Sequence, residues 1–237
     1  MNREKAIHTI RDNKPYPKYF IRLFSEENYW KECIAGKIYM NTLSYFRDLE
    51  AGFQGDPLEG KVLDKSTHSQ LMISSNGDFS NPDCVIDDVE IKVNGYLYCF
   101  YAADEDELLI KSNSLYCNNF LHPNLRDAIL KYKKEHGKAY YIVFDAHKVI
   151  HKAKKELLKI NFPSYQGFVD YVSDAAVSLK RIEAFLKQDP WSKAFVKDEK
   201  YAYQKEWRIF IDATPAEKFA YFLISDPSEH ILAIGQA

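Results

Sequence analysis

The chain has 237 residues, which is enough for one large domain or two small ones with a real hydrophobic core. Hydrophobic residues make up 46% and charged residues 28%, as in ordinary globular proteins, and the formal net charge is −2. No block of lysine or arginine dominates the chain, so tight non-specific binding to a nucleic-acid backbone is not expected. The 17 tyrosines and 15 phenylalanines favour strands and cleft walls, and they predict a sheet-rich mixed fold.

The cysteine pattern and the lack of targeting signals predict a location. Four cysteines stand far apart without C-x-x-C spacing, namely Cys33, Cys84, Cys99 and Cys117. This spacing favours buried thiols in a reducing compartment over a disulfide framework or a zinc site. The sequence shows no signal peptide and no apolar run long enough to span a membrane. We therefore expect a cytoplasmic protein without a membrane partner.

The first predicted elements are a strand, a helix and a second strand. Residues 19–24 are apolar except for Arg22, and they predict a strand with one charge in it. The helix that follows is expected to take Ser25 as its N-cap and to stop at Gly36. Residues 37–41 then predict a short strand.

The middle of the chain is richer in turn residues. Residues 42–48 predict a capped turn entering a short helix, and the glycine-rich segment 52–60 predicts a loop. The dipeptide Asn76-Gly77 is typical of a hairpin turn. Residues 95–102, with the sequence GYLYCFYA, predict a buried strand.

The second half of the chain alternates predicted helices and strands. The helices cover 123–136, 146–160 and 174–187, and the strands cover 139–145, 167–173, 203–211, 219–224 and 230–234. Pro123 opens the first of these helices, and Gly137 stops it. Without repeats, low-complexity tracts or a linker, we predict one domain, 1–237, with its core at about 19–235. Because strands and helices do not alternate regularly, an α+β fold is favoured over a doubly wound sheet.

The predicted strand 203–211 carries the most unusual pattern in the chain. Alternation places Trp207 and Ile209 on a core face, and Gln204, Glu206 and Arg208 on the other face. Buried polar groups need partners, because unpaired ones are costly. Two interpretations stay open. The polar residues form a cross-strand salt-bridge ladder, or they form the floor of a cleft in which Glu206 is the acting carboxylate.

Several familiar signatures are absent, including G-x-x-x-x-G-K-[ST], G-x-G-x-x-G, G-x-S-x-G and H-E-x-x-H. Three weaker features remain. They are Arg22 in the first apolar strand, the Asn-Thr-x-Ser turn after the second strand, and Gln-x-Glu near the C-terminus.

The order of these features resembles the Arg/Ser-Thr-Ser/Gln-x-Glu plan of the ADP-ribosyltransferase superfamily. The resemblance implies a split β-sandwich of mixed and antiparallel sheets with flanking helices, and NAD as the substrate. It implies that Arg22 binds the phosphates of the dinucleotide. It places Glu206, with Gln204 beside it, at the ribose as nicotinamide leaves. The nicotinamide pocket would be formed by Tyr39, Asn41, Thr42 and Ser44.

A second resemblance covers residues 19 to 212. The phrases IYMNTLSYFRDLE…GDPLEG, GYLYCFYA, AYYIVFD and YQKEWRIFI are similar, in order, to an uncharacterised bacterial and phage family. That family ends in Glu-x-Glu-Trp-Arg and implies no chemistry. This chain departs from it at 109–116, where the family has Met-Trp-x-x-Tyr.

Three functional hypotheses follow. The first is an ADP-ribosyltransferase-like enzyme that cleaves NAD at the nicotinamide–ribose bond, as a toxin or in phage–bacteria conflict, with a protein or nucleic-acid acceptor left open. The second is a non-catalytic module of the same fold that binds a nucleotide or a protein. The third and weaker one is a nuclease that holds a divalent metal with Asp48, Asp56, Glu59 and Glu206.

Two structural predictions accompany these hypotheses. Arg22 and Glu206 should lie on adjacent or nearby strands and open into one cleft. A single sheet-centred core should bury Tyr98, Phe100, Ile142, Phe144, Trp207 and Ile209.

Overall fold

A computed structural model of the chain describes residues 8–11, 14–48, 61–63, 71–74, 80, 84–86, 91–105, 123–173, 180, 191, 194–215 and 219–236. The chain divides into two compact units. The first comprises Met1–Thr42, Gly95–Val169 and Tyr203–Ala237, and the second comprises Leu43–Asn94 and Asp170–Ala202. The protein mixes α and β structure around one large mixed sheet, in agreement with the predicted class. The finer prediction of a split β-sandwich stays a prediction.

The described part of the first unit contains nine strands and three α-helices. The strands are β1 (His8–Ile10), β2 (Tyr19–Phe24), β3 (Lys37–Thr42), β8 (Tyr96–Ala103), β9 (Tyr140–Asp145), β10 (Ser164–Phe168), β13 (Glu206–Ile211), β14 (Phe219–Leu223) and β15 (Ile231–Gln236). The helices are α1 (Glu27–Ile34), α3 (Pro123–His136) and α4 (Ala146–Leu157).

These nine strands form one sheet in which β8 is central. The main order is β1-β10-β13-β8-β2-β9-β15, and only the β1–β10 pair is parallel. On one side β8 pairs with β13. On its other side the long strand has two partners, since β2 pairs with residues 101–103 and β3 with residues 96–97. β14 extends β3 outward.

The sheet buries side chains on both faces, and the register assigns each residue to one of them. Directly opposed residues of neighbouring strands share a face, and successive residues alternate. One face, here called the helix face, carries the predicted core residues Tyr98, Phe100, Ile142, Phe144, Trp207 and Ile209. All six lie in one buried cluster, so the core prediction is confirmed. The other face, here called the opposite face, carries Ile21, Cys99, Val143, Glu206 and Arg208.

Helices α1 and α4 contribute apolar side chains to the helix-face cluster, among them Cys33 and Ile150. Helix α4 is capped by Asp145, whose carboxylate accepts a hydrogen bond from the backbone N–H of Lys148 at 3.1 Å. Helix α3 has the predicted bounds. The prediction of Ser25 as the cap of α1 is wrong. Glu26 takes the N-cap position, without a side-chain hydrogen bond.

The second unit contains short elements. They are α2 (Leu43–Asp48), β4 (Lys61–Leu63), β5 (Leu71–Ile73), β6 (Cys84–Ile86), β7 (Ile91–Lys92), β11 (Asp170–Val172) and β12 (Val196–Asp198). They pair as β4–β7, β5–β6 and β11–β12. The predicted loop 52–60, the turn at Asn76-Gly77 and the predicted helix 174–187, apart from position 180, lie outside the described residues.

The strand predicted over 203–211 begins later than expected. Glu199–Gln204 forms a 3₁₀-helix, and β13 begins only at Glu206. Between them Lys205 adopts a left-handed backbone with φ of 40°, which interrupts the alternation of a strand. Gln204 therefore does not stand two strand residues before Glu206, and that part of the prediction is wrong.

Candidate functional site

Arg22 is the one charged residue of β2, and it belongs to the helix face. Its neighbours at alternate positions, Phe20 and Phe24, lie in the buried core cluster. Its partner on β9 is Ile142, which belongs to the same cluster. Arg22 is half-buried, so its guanidinium lies partly within the apolar layer of the helix face, where a charge is costly unless it is paired.

Aromatic rings and one carbonyl oxygen surround this guanidinium. Nη1 of Arg22 donates to the backbone carbonyl of Cys99 at 2.8 Å. The guanidinium carbon lies 4.7 Å from the ring centroid of Tyr98 and 5.9 Å from that of Phe24. Both distances allow cation–π attraction, which is stronger away from water.

No carboxylate among the described residues pairs with Arg22. Its Nε is fully enclosed and has no hydrogen-bond acceptor. Nη2 also makes no hydrogen bond within the described part of the chain but, unlike Nε, it is not among the enclosed atoms. Burial opposes the charge of Arg22, but interactions with Tyr98 and Cys99 prevail and raise its pKa above the usual value, so the side chain keeps its charge. The edge formed by Nε and Nη2 is therefore a donor pair that has no acceptor among the residues that the structure describes.

Burial keeps the thiol of Cys33 and the hydroxyl of Tyr98, which lie near Arg22, neutral near pH 7. The thiol of Cys33 lies 3.8 Å from the hydroxyl of Tyr98. Burial raises the pKa of Cys33 to about 11, although Tyr98 and Arg22 oppose the rise. Burial also raises the pKa of Tyr98 well above its usual value. Neither group supplies the missing negative charge.

Glu206 has a partner on its own strand. Nε of Arg208 donates to Oε2 of Glu206 at 2.6 Å, and the two side chains are 1% and 11% exposed. Residues two apart on a strand share a face, so the pair forms within β13. The sequence left open a cross-strand salt-bridge ladder and a polar cleft floor. The contact that the structure shows is a salt bridge, but it joins two residues of the same strand.

The structure does not bring Arg22 and Glu206 into one cleft. Glu206 stands opposite Tyr101 of β8, and Tyr101 stands opposite Ile21 of β2. Arg22 is the next residue along β2, so it points to the other side of the sheet. The prediction of nearby strands is correct, because only β8 separates β2 from β13. The prediction of a shared cleft is wrong.

The other predicted site residues are also spread out. Asn41 and Tyr39 lie on the opposite face, as Glu206 does. Asn41, however, pairs with Leu97, four residues along β8 from the partner of Glu206. That offset alone is about 13 Å at the rise of a strand.

Three predicted residues remain. Thr42 is buried at the end of β3 opposite Tyr96, and it lies on the helix face. Ser44 is exposed in α2, in the second unit. Gln204 is buried at the end of its 3₁₀-helix. The structure does not gather these residues into one pocket within the first unit.

The nuclease hypothesis depends on residues that the structure hardly describes. Asp56 and Glu59 lie outside the described residues, and the side chain of Asp48 does too. Within the described ranges no group of three or more His, Cys, Asp or Glu residues could hold a metal ion.

Comparison with protein-family models, with curated proteins and with solved structures gives no match for this chain. The two resemblances therefore stay predictions. No helix in the described part of the chain is long and apolar enough to cross a membrane.

The sequence reasoning missed the residues that surround Arg22. Tyr98 was predicted to be a core residue, but its closeness to Arg22 depends on how β2 and β8 pair. The closeness of Cys33 to Tyr98 depends on how α1 packs on the sheet, so no local pattern gives either contact.

Proposed function

We propose that this protein binds a phosphate-bearing ligand of the dinucleotide class, with Arg22 as the residue that recognises the anion. One observation carries the proposal. Arg22 is a charged guanidinium in an apolar layer, its Nε is enclosed without an acceptor, and no described carboxylate pairs with it. An oxyanion along the Nε–Nη2 edge would satisfy both donors and compensate the charge.

The surroundings of Arg22 support a ligand that combines an anion with planar groups. Tyr98 and Phe24 flank the guanidinium, but both rings are buried, so they would stack on a nicotinamide or adenine ring only if the site opened. Each phosphate of a dinucleotide carries one negative charge, which one guanidinium can balance. Seating the anion requires the side chains that enclose Nε to give way.

The binding module is favoured over the NAD-cleaving enzyme for a geometric reason. Transferase chemistry of the expected kind needs a carboxylate beside the ribose while an arginine holds the phosphates of the same molecule. Glu206 faces away from Arg22 and is engaged by Arg208. NAD cleavage stays a prediction, and release of nicotinamide from NAD is its direct test.

Calorimetric titration with NAD and ADP-ribose tests the proposal, with adenosine and nicotinamide riboside as ligands that lack a phosphate. Arg22→Met should weaken binding of the phosphorylated ligands by roughly 10- to 100-fold, the range for one hydrogen-bonded charge. Arg22→Lys should also lose affinity, because an ammonium cannot present two parallel N–H donors.

Lys155→Met is the matched control, since it removes one positive charge from an exposed position of α4. It should leave the affinity unchanged. If no phosphorylated ligand binds, or if Arg22→Met binds as tightly as the wild type, the proposed function is wrong. Nicotinamide release that Glu206→Gln abolishes while the variant remains folded would instead establish NAD cleavage with Glu206 as the acting carboxylate.

A further inference from the structure

The outer edge of β14 is the strongest feature that the proposed function does not use. β14 pairs with β3 over five residue pairs, from Phe219 opposite Asn41 to Leu223 opposite Lys37, without a register shift. The backbone N–H of Ile224 continues this ladder and donates to the carbonyl of Gly36 at 2.8 Å.

That hydrogen bond fixes which backbone groups of β14 face outward. In an antiparallel ladder the residues bonded to one neighbour alternate with residues that turn their N–H and C=O away from it. Because Ile224 bonds to β3, Phe222 and Ala220 do so as well. Tyr221 and Leu223 therefore direct their backbone groups to the free side. In the described part of the chain no strand pairs there.

The other two edges of the sheet carry features that hinder pairing, and β14 does not. β1 has only three residues. β15 has a register shift between Ile231 and Ala233. Short strands and irregularities of this kind prevent a sheet edge from adding a further strand, as do charges and prolines. β14 has the sequence FAYFL, with neither a charge nor a proline.

The side chains beside this edge present an apolar surface. Tyr221 is 56% exposed and Leu223 is 57% exposed. The nearby cation, Lys37, is partly covered by two rings, since its Nζ lies 4.5 Å from the ring centroid of Tyr39 and 4.6 Å from that of Tyr221. Glu32 also compensates its charge at 3.4 Å. The strip thus offers no net charge to attract a charged partner.

We propose that β14 pairs antiparallel with β14 of a second copy of this chain, about a two-fold axis at Tyr221. In this arrangement the outward N–H of Tyr221 donates to the C=O of Tyr221 in the second copy, and the reverse bond forms as well, so the edge is complementary to itself. An uncharged strand meets no like-charge repulsion from its own copy. The pairing also closes, because each copy contributes one edge and none is left for a third.

The small area of the contact predicts a weak dimer. A five-residue strand pair lies at the low end of interface sizes, below about 1,200 Å² in total, where complexes are weak and transient. The dimer should therefore form in the micromolar range and dissociate on dilution.

Sedimentation velocity over a range from about 1 to about 200 µM tests the proposal, because weak interfaces fall in this range. The wild-type mass should rise from 27.6 kDa toward twice that value. Tyr221→Pro removes one outward N–H without touching the bonds to β3, and it should weaken dimerisation at least tenfold. Leu223→Lys should also weaken dimerisation, because it places an unpaired ammonium group in the apolar strip that the second copy covers.

Two controls separate the edge from other surfaces. Tyr221→Thr keeps the N–H and a strand-forming side chain, and it should retain more dimer than Tyr221→Pro. Leu232→Lys makes the same change on β15, where the exposed residue lies beside the register shift, and it should leave the dimer intact. Amide exchange at Tyr221 and Leu223 should slow as concentration rises.

Three results would overturn the proposal. The first is a wild type that stays monomeric throughout the range. The second is a dimer that both folded variants, Tyr221→Pro and Leu223→Lys, leave intact. The third is amide exchange at Tyr221 that does not depend on concentration.

Discussion

The salt bridge between Glu206 and Arg208 allows the sharpest test of the site geometry. Arg208 is 1% exposed, so replacing Glu206 by glutamine removes a counter-charge that water cannot replace. Breaking a buried ion pair by removing one partner costs about 3–5 kcal/mol, because the remaining charge stays buried. At 2–4 °C per kcal/mol for a chain of this length, Glu206→Gln should lower Tm by roughly 6–20 °C.

A surface salt bridge of the same length provides the matched control. Nζ of Lys159 lies 2.6 Å from Oε2 of Glu156, the distance found in the buried pair, but the two side chains are 65% and 20% exposed. Water screens this pair, so Glu156→Gln should change the free energy of unfolding by less than about 1 kcal/mol. Because the two salt bridges have the same length, the comparison separates the effect of burial on stability from the effect of distance.

A double-mutant cycle measured by urea unfolding completes the test. Arg208→Met should cost about as much as Glu206→Gln, and the double variant should cost little more than either one, with a coupling of at least about 2 kcal/mol. Additive losses, or a Glu206→Gln variant as stable as the Glu156→Gln control, would refute the argument. The assignment of Glu206 to a structural ion pair would then be wrong.

Three further predictions concern two glycines with positive φ, the buried Trp207 and two histidines. Gly36→Ala should destabilise the protein by about 3 kcal/mol or more, because the new Cβ would lie 2.3 Å from a backbone carbonyl oxygen. Gly137→Ala, with a similar positive φ but nothing within 4 Å, should cost only about 1 kcal/mol by urea unfolding. Trp207→Ala should cost about 3–5 kcal/mol, since the ring is completely buried, and unchanged thermal unfolding would contradict its place in the core. Burial lowers the pKa of His8 and of His230 to about 4, with nearby lysines adding to the shift. Their contribution to stability is complete above pH 6.5 and is lost as pH falls toward 4, on the order of 1 kcal/mol per histidine. Replacing each histidine by glutamine should flatten that part of the stability profile, and an unchanged slope would contradict it.

The candidate site could be predicted only in part. The sequence pointed to Arg22 as a charge in an apolar strand, and it pointed to the polar pattern of Glu206 and Arg208. Which of these residues meet depends on contacts between distant segments. A one-residue difference in register moves a side chain to the other face of a sheet, so alternation within each strand cannot decide whether two strands share a site.

Local pattern by itself determined the elements whose signals lie within a few residues. Pro123 and Gly137 mark the ends of α3, and the apolar run of β8 marks a buried strand, because capping, backbone freedom and side-chain period act over one or two turns. Only the tertiary structure decided that β8 lies between β2 and β13 with the register that turns Arg22 away from Glu206. It also decided that Lys205 leaves the strand conformation. Strand order and register are set by packing between segments far apart in the chain, and no local pattern records that packing.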